Sequence, residues 1–387
     1  MARPSLLLIT LDAFGTLYKP RQSVARQYLD IARSHNLSWS ANFVQRRSID
    51  HDERDSGKKD ETLQAFSQSF KHAFKTQTAR HPNYGKATPS MTPKVWWRNV
   101  VHDSFRPFMS LGSDFPEALS DELFNRFSGR DGYMLFPDSM PFLQQIRQWK
   151  QDFGLESGKG RFPNVASLSP SSSLPESESN RPLRLVSGVI TNSDPRVARI
   201  LESLDVDVTC TTEHYESKRI ESGNKNHDIQ GGSKEVKHAP PPHLDFVLTS
   251  YEMSMEKPDP SVFVEAEHQL ATQLPKLISH GARTATSSSM MIPKLSWKND
   301  NGCAHDVDFD HLLKHAIKVH IGDDINKDYW GARNSRRGWH SIWLDREGSG
   351  EKGPQRPDHD DNVGSVEKVA GLGDLGTALK KILLKKR

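Results

Sequence analysis

The sequence predicts an α/β fold: a doubly wound, mainly parallel sheet with an inserted α-helical cap. Three observations lead there. Short apolar runs recur along the chain and several stop at an acid or a hydroxyl residue. Helical patterns follow those runs, and one long segment near the start has helical periodicity without strand alternation. In open α/β sheets ligands bind at the carboxyl ends of strands, so the residues at which the runs stop are the first candidates for chemistry.

The first run, Leu6 to Leu11, ends in Asp12-Ala13-Phe14-Gly15-Thr16-Leu17. A buried strand that stops at a carboxylate and turns through Gly-Thr places one ionised side chain at the sheet edge, where an aspartate can act as a covalent nucleophile. Residues 20–131 follow. Val24, Tyr28, Ile31 and Ala32 recur at helical spacing, as do Phe66, Phe70 and Phe74, then Trp96 and Val100, then Leu119, Leu123 and Phe127. This is the cap, with its aromatic residues expected to form its own core. Trp96 and Trp97 cannot both face one side, so one of them is a candidate to line the mouth of the site. A cap inserted here closes over Asp12 and excludes water.

The second run, Leu185 to Ile190, ends in Thr191-Asn192-Ser193-Asp194, ahead of a helical face carrying Val197, Ile200, Leu201 and Leu204. A third, Phe246 to Ser250, leads to Glu256-Lys257-Pro258-Asp259-Pro260 and a helix with Phe263, Ala266 and Leu270. A fourth, Lys318 to Ile321, runs into Gly322-Asp323-Asp324-Ile325-Asn326-Lys327-Asp328. With a strand ending at Leu344, five strands are expected. The core then comprises residues 1–19 and 132–345, and residues 346–387 form a linker and a terminal helix bearing Leu375 and Leu379.

These residue types suit phosphoryl chemistry, where catalysis is mostly positioning and electrostatics. Thr191 can donate a hydroxyl hydrogen bond, or cap the helix that follows. Backbone N–H groups near Phe14 and Gly15 can form an anion-binding nest. Lys257 brings a compact positive charge. Asp328, in the first turn of a helix where a carboxylate is favoured, can pair with Lys257. Asp324 reads either as a supporting acid or as a helix cap. His320 reads as strand packing, since no other histidine stands at metal-site spacing with it.

Strand, hydroxyl, lysine and paired acids, in that order, resemble the four motifs of the haloacid dehalogenase (HAD) superfamily of hydrolases. Other stretches extend the resemblance to one group within it: Phe74 to Gly85 with His81-Pro82-Asn83-Tyr84-Gly85, Lys94 to Trp97, Asp245 to Ser250, and Asp328 to Gly331. It covers roughly residues 5–150, 183–215, 243–275 and 316–345. The resemblance implies an aspartyl-phosphate at Asp12, with Thr191 and Lys257 as catalytic partners and substrate contacts from Gly15, Thr16 and Asn192. It implies Mg²⁺ held by Asp12, Asp323 and the backbone carbonyl of Phe14, with Asp324 and Asp328 in support. There is also a departure. Most phosphatases of the superfamily carry a second aspartate two residues after the first, as general acid and base. Here that position is Phe14, a trait shared by the similar group. Such help is worth about 10²–10⁴-fold, so slow turnover or a preference for good leaving groups is expected.

The favoured function is therefore a Mg²⁺-dependent phosphatase acting on a small phosphorylated metabolite. One alternative is a 2-haloacid dehalogenase, whose first motif commonly reads Asp-Ala-Tyr-Gly-Thr and whose halide leaves without a proton. The other is a non-catalytic phosphate-binding or scaffold protein.

Composition sharpens this picture. The chain has 387 residues, more than one typical domain, yet it is only 35% hydrophobic with a mean hydropathy of −0.68. The excess polarity lies in residues 154–181, 216–242 and 280–310, rich in Ser, Gly, Pro or charge and expected to be disordered insertions. Fifty-two basic against 49 acidic residues give a net charge of +3 and a pI near 8.7, too balanced for a nucleic-acid groove. No run approaches a membrane span, and no signal-type start precedes Leu6. Cys210 and Cys303 are the only cysteines, which suits a reducing compartment. A cytoplasmic location is expected, with the basic end, Lys380 to Arg387, leaving a nuclear one open. A small molecule is the expected partner, and the oligomeric state is left unspecified.

Overall fold

A computed structural model describes residues 6–41, 43, 61–154, 184–210, 240–281, 296–298, 304–306, 309–348 and 366–385. Its strands in chain order are β1 (Leu6–Leu11), β2 (Tyr18–Pro20), β3 (Tyr133–Leu135), β4 (Arg184–Thr191), β5 (Val208–Cys210), β6 (Leu244–Thr249), β7 (Ser296–Lys298), β8 (Ala304–Asp306), β9 (Ile317–Gly322), β10 (Trp339–Leu344) and β11 (Lys368–Val369).

Seven of these form one sheet in the order β11-β10-β9-β1-β4-β6-β5, and every pairing within it is parallel. The alternation of β1 explains why it sits at the centre. Leu7, Ile9 and Leu11 enter one apolar cluster with Phe142, Ile146, Val197 and Leu379. Leu6 and Leu8 enter a second, on the other face, with Phe246, Phe263 and Leu270. A strand apolar on both faces belongs between two layers of helices. That is the doubly wound arrangement, and the order reverses beside β1, where β4 follows on one side and β9 on the other.

Within this sheet, two strands go beyond the five expected. β5 and β11 have three and two residues, too few for any alternation to show in sequence. β11 pairs with β10 inside the stretch expected to be a linker. The expected disordered insertions lie mostly outside the described residues. Within the third, β7 and β8 pair as an antiparallel hairpin, which corrects the expectation of a loop there.

The cap helices are α1 (Val24–Ala32), α2 (Glu61–Arg80), α3 (Pro93–Phe105) and α4 (Glu117–Arg126). Ser23 and Thr92 cap α1 and α3 by accepting from Arg26 and Val95 N–H. Tyr28, Phe66, Phe105, Leu119 and Leu123 form the main cap core, and Trp96 and Val100 a smaller one. The chain leaves and re-enters the core across the antiparallel β2–β3 ribbon. Among the described residues no helix is long and apolar enough to cross a membrane.

Candidate active site

Asp12 follows β1 directly, and its N–H donates to the Ile321 carbonyl of β9 at 2.8 Å. The strands on either side carry the other groups: Thr191 closes β4, and Asp323 follows β9. Lys257 reaches in from the loop after β6, buried to 3% exposure. Its ammonium donates to Asp12 Oδ1 at 2.8 Å, to Asp328 Oδ1 at 2.6 Å and to the Ile190 carbonyl at 2.8 Å, so all three of its donors are engaged.

Asp328 is tied on every side. Besides Lys257 it accepts from Asp324 N–H at 3.0 Å and lies 3.3 Å from His320 Nε2. His320 is fully buried, its ring 5.0 Å from that of Phe263, with Thr10 Oγ1 2.9 Å from Nδ1. A neutral imidazole that accepts from Thr10 and donates to Asp328 satisfies both contacts. Gly322 makes this possible, because a Cβ there would strike the Asp328 carboxylate.

The charges follow from this geometry. Burial pushes the Asp12 carboxyl up, Lys257 opposes the shift, and Asp328 adds to it. Burial acts against the charge on Lys257 as well, but Asp12 and Asp328 outweigh it and hold the ammonium above its usual range. Lys257 and His320 keep Asp328 well below the carboxylate range in spite of its burial. Burial, with the nearby Lys257 charge, depresses His320 to about 4 despite its bond to Asp328. Asp323 keeps solvent-exposed surface, yet the protein crowding its carboxylate, and then the charges of Asp12 and Asp328, push it up to about 7. Carboxylate oxygens of Asp12, Asp323 and Asp328 lie within 4.8 Å of one another. Lys257 pairs with Asp12 and Asp328, which leaves the third carboxylate without a cation of its own, and an all-oxygen donor set of this kind fits a hard divalent cation.

Several residues expected to touch substrate turn inward instead. Thr16 is fully buried and its hydroxyl donates to Asp323 Oδ1 at 3.1 Å, while Arg346 donates to the Thr16 carbonyl at 2.9 Å. Asn192 uses both ends of its amide on the backbone of Lys257, donating to the carbonyl at 2.7 Å and accepting from the N–H at 2.8 Å. Gly15 has φ +87° and its N–H donates to the Tyr18 carbonyl at 2.9 Å, which removes it from the expected nest. A side chain at Gly15 would collide with the Asp323 carboxylate, so glycine is required twice over. Asp324 caps the π-helical turn Ile325–Trp330, accepting from Asn326 and Lys327 N–H. Thr191 is buried and hydrogen-bonded to Asp12. The Phe14 ring is 51% exposed and packs edge-on against Tyr18 and Tyr133 at 6.0 and 6.3 Å.

His320 does more than pack, and Thr10 and Asp194 carry roles that the sequence did not disclose. Asp194 accepts from Trp97 Nε1 of the cap at 2.7 Å and pairs with Arg196 at 2.8 Å, which keeps its carboxyl below the usual range against the effect of burial. Its place two residues after Asn192 was the available signal.

No family model matches the chain. It is 22% identical over 346 residues to an uncharacterized protein of Saccharomyces cerevisiae, covering 89% of this chain and 73% of that one. It is 24% identical over 342 residues to haloacid dehalogenase-like hydrolase domain-containing protein 3 of Bos taurus, covering 88% and 83%. Among solved structures, a 2-haloacid dehalogenase from Pseudomonas syringae is 15% identical with a TM-score of 0.42, over 97% of this chain and 99% of that one. A HAD phosphatase from Thermococcus onnurineus is 14% identical with a TM-score of 0.34, over 96% and 97%.

Proposed function

We propose that the chain is a hydrolase of the haloacid dehalogenase superfamily, like the relatives it resembles, and that it works as a Mg²⁺-dependent phosphohydrolase through an aspartyl-phosphate at Asp12. The observation that carries this reading is the cluster of three carboxylates, Asp12, Asp323 and Asp328, of which Lys257 pairs with only two. Asp323, pushed up to about 7 beside Asp12, is a poor arrangement for an enzyme without metal and a suitable one for a cation. Asp12, Asp323 and the Phe14 carbonyl would hold Mg²⁺, which would offset the charge on phosphoryl oxygens when bound.

The chain's own residues then divide the work. Asp12 attacks phosphorus in line with the leaving oxygen. Lys257, held by Asp328 and Asn192, favours the ionised form of Asp12 against the effect of burial and holds it in place. Thr191 directs its hydroxyl to the same carboxylate. Phe14 offers neither a proton to the leaving group nor a base to the hydrolytic water, so aryl and acyl phosphates react best and the phosphorylated enzyme accumulates. The substrate is a small phosphorylated metabolite.

The test is a product burst from an aryl phosphate, with Mg²⁺ and with chelator. A burst close to one equivalent of enzyme followed by slow turnover, abolished by chelator, is expected. The apolar Phe14 beside the nucleophile also suits a 2-haloacid dehalogenase, since halide needs no proton. Halide release from 2-haloacids in chelator, without any phosphatase activity, would replace the proposal with that reading.

A further inference from the structure

One segment of the cap has no part in the chemistry above and yet reaches the strand ends. After α2, the backbone of Asn83 (φ 48°, ψ 53°) and Tyr84 (φ 55°, ψ 28°) is left-handed, and Gly85 (φ 79°) follows suit. Residues with side chains avoid this region, and consecutive ones more so. Such backbone persists where its surroundings over-determine it, typically at functional sites.

The surroundings here are specific. The Asn83 amide is buried, donating to the Ser250 carbonyl at 2.7 Å and accepting from the Ser250 hydroxyl at 2.9 Å. Its backbone N–H serves the Glu256 carboxylate, the neighbour of Lys257. The Tyr84 hydroxyl donates to the Asn192 carbonyl at 3.2 Å, and it is the Asn192 side chain that clamps the Lys257 backbone from both sides. Plain attachment of cap to core needs none of this. Trp97 to Asp194 and Arg196 to the Phe127 carbonyl already provide it with unstrained backbone.

We propose that the left-handed Asn83–Tyr84–Gly85 turn is a positioning element carried by the cap. Seated on Ser250 and Asn192, it fixes the Asn192–Lys257 clamp, so the lysine is correctly placed only when the cap is docked. Asn83 and Tyr84 are positioning residues and touch no reacting atom. The kinetic half of this inference rests on the phosphohydrolase reading; the structural half does not.

Two variants test it on the full chain. Tyr84→Phe removes one hydroxyl donor. Asn83→Gly keeps a left-handed backbone at lower cost and deletes the amide. Backbone hydrogen exchange is read at the Lys257 N–H, which donates to Asn192 Oδ1, alongside melting curves and aryl phosphate kinetics. The expectation is exchange at Lys257 faster by roughly tenfold in both variants, with strands β1 and β4 still protected. In the kinetics, kcat falls by roughly tenfold with KM nearly unchanged. Unchanged exchange at Lys257 overturns the proposal, and so does faster exchange spread evenly over the chain. Faster exchange at Lys257 in a protein with no phosphatase activity at all supports the positioning role and removes the proposed reaction instead.

Discussion

Among the described residues two lysines are buried, and they are surrounded in opposite ways. Lys318, in β9, is 2% exposed and lies 2.8 Å from Glu267 Oε1. Glu267 also accepts from Trp339 Nε1 at 2.7 Å and from Arg337 at 2.8 Å. One carboxylate thus serves two cations, and its oxygens are saturated. At Lys257 the ratio is reversed: Asp12 and Asp328 share a single ammonium, and Asp323 brings a third carboxylate within 4.8 Å of theirs. Burying charge is costly unless it is paired. A compensated group such as Glu267 reads as architecture, whereas a site left with surplus negative charge is prepared for something absent from the chain itself. The contrast separates the two lysines more clearly than burial does, since both are buried.

Removing the nucleophile should break the comparison most completely. Asp12→Asn keeps the shape and an acceptor for Lys257, so the protein should melt near the wild-type temperature. Any hydrolytic rate should fall by at least about 10³-fold, because the amide cannot attack. Retained turnover on the same substrate would rule out covalent catalysis at this residue.

Adding a carboxylate to the crowded side comes next. Phe14→Asp places a carboxyl two residues after Asp12, where the present ring can neither give nor take a proton. The initial burst should shrink and steady turnover rise by about 10²-fold, the lower end of what general acid–base catalysis supplies. A well-folded variant with unchanged slow turnover would mean that the missing proton is not what limits the rate.

The architectural pair should respond in stability alone. Lys318→Met should cost about 3 kcal/mol in a denaturant titration, the low end for breaking a buried pair, since Arg337 and Trp339 still serve Glu267. Its response to Mg²⁺ should match that of the wild type. A loss of metal response there would show that the two clusters are coupled.

The smallest effect concerns pH. Asp323 stands at about 7 in the folded chain, against 3.8 for an unperturbed aspartate. Between those values the folded chain holds a proton that the unfolded chain has released. In the absence of metal this group therefore favours folding most fully below pH ~4, and that contribution is lost as the pH rises through 7. Mg²⁺ must displace the same proton, so its apparent affinity should fall by roughly tenfold per pH unit below 7. Thermal melts with excess Mg²⁺ should show a larger upward shift at pH 8 than at pH 6. Asp323→Asn should abolish the shift at both. A shift independent of pH in the wild type would place the ion elsewhere.

The sequence by itself determined the frame. An apolar run such as Leu6–Leu11, buried at every position, announces a central strand and marks where it ends. Asp12, Thr191 and Asp323 were legible as candidates because a strand end is a local property, readable from the residues on either side of it, and Lys257 from the Pro-Asp-Pro turn that follows it. The cap helices were legible for the same reason, since a period of 3.6 needs only a few turns to appear. The short edge strands β5 and β11 were not, because two or three residues carry no period.

What only the tertiary structure decided is the direction in which polar side chains spend their hydrogen bonds. Thr16 reaches Asp323 across 307 residues of sequence, Thr10 reaches His320 across 310, and Asn192 reaches Lys257 across 65. Nothing beside Thr16 or Asn192 distinguishes a side chain that faces substrate from one that braces a catalytic neighbour. Hydrophobic burial is non-directional and follows patterns along the chain. A hydrogen bond needs one particular partner at about 3 Å, and that partner is supplied by the closure of the sheet and the docking of the cap.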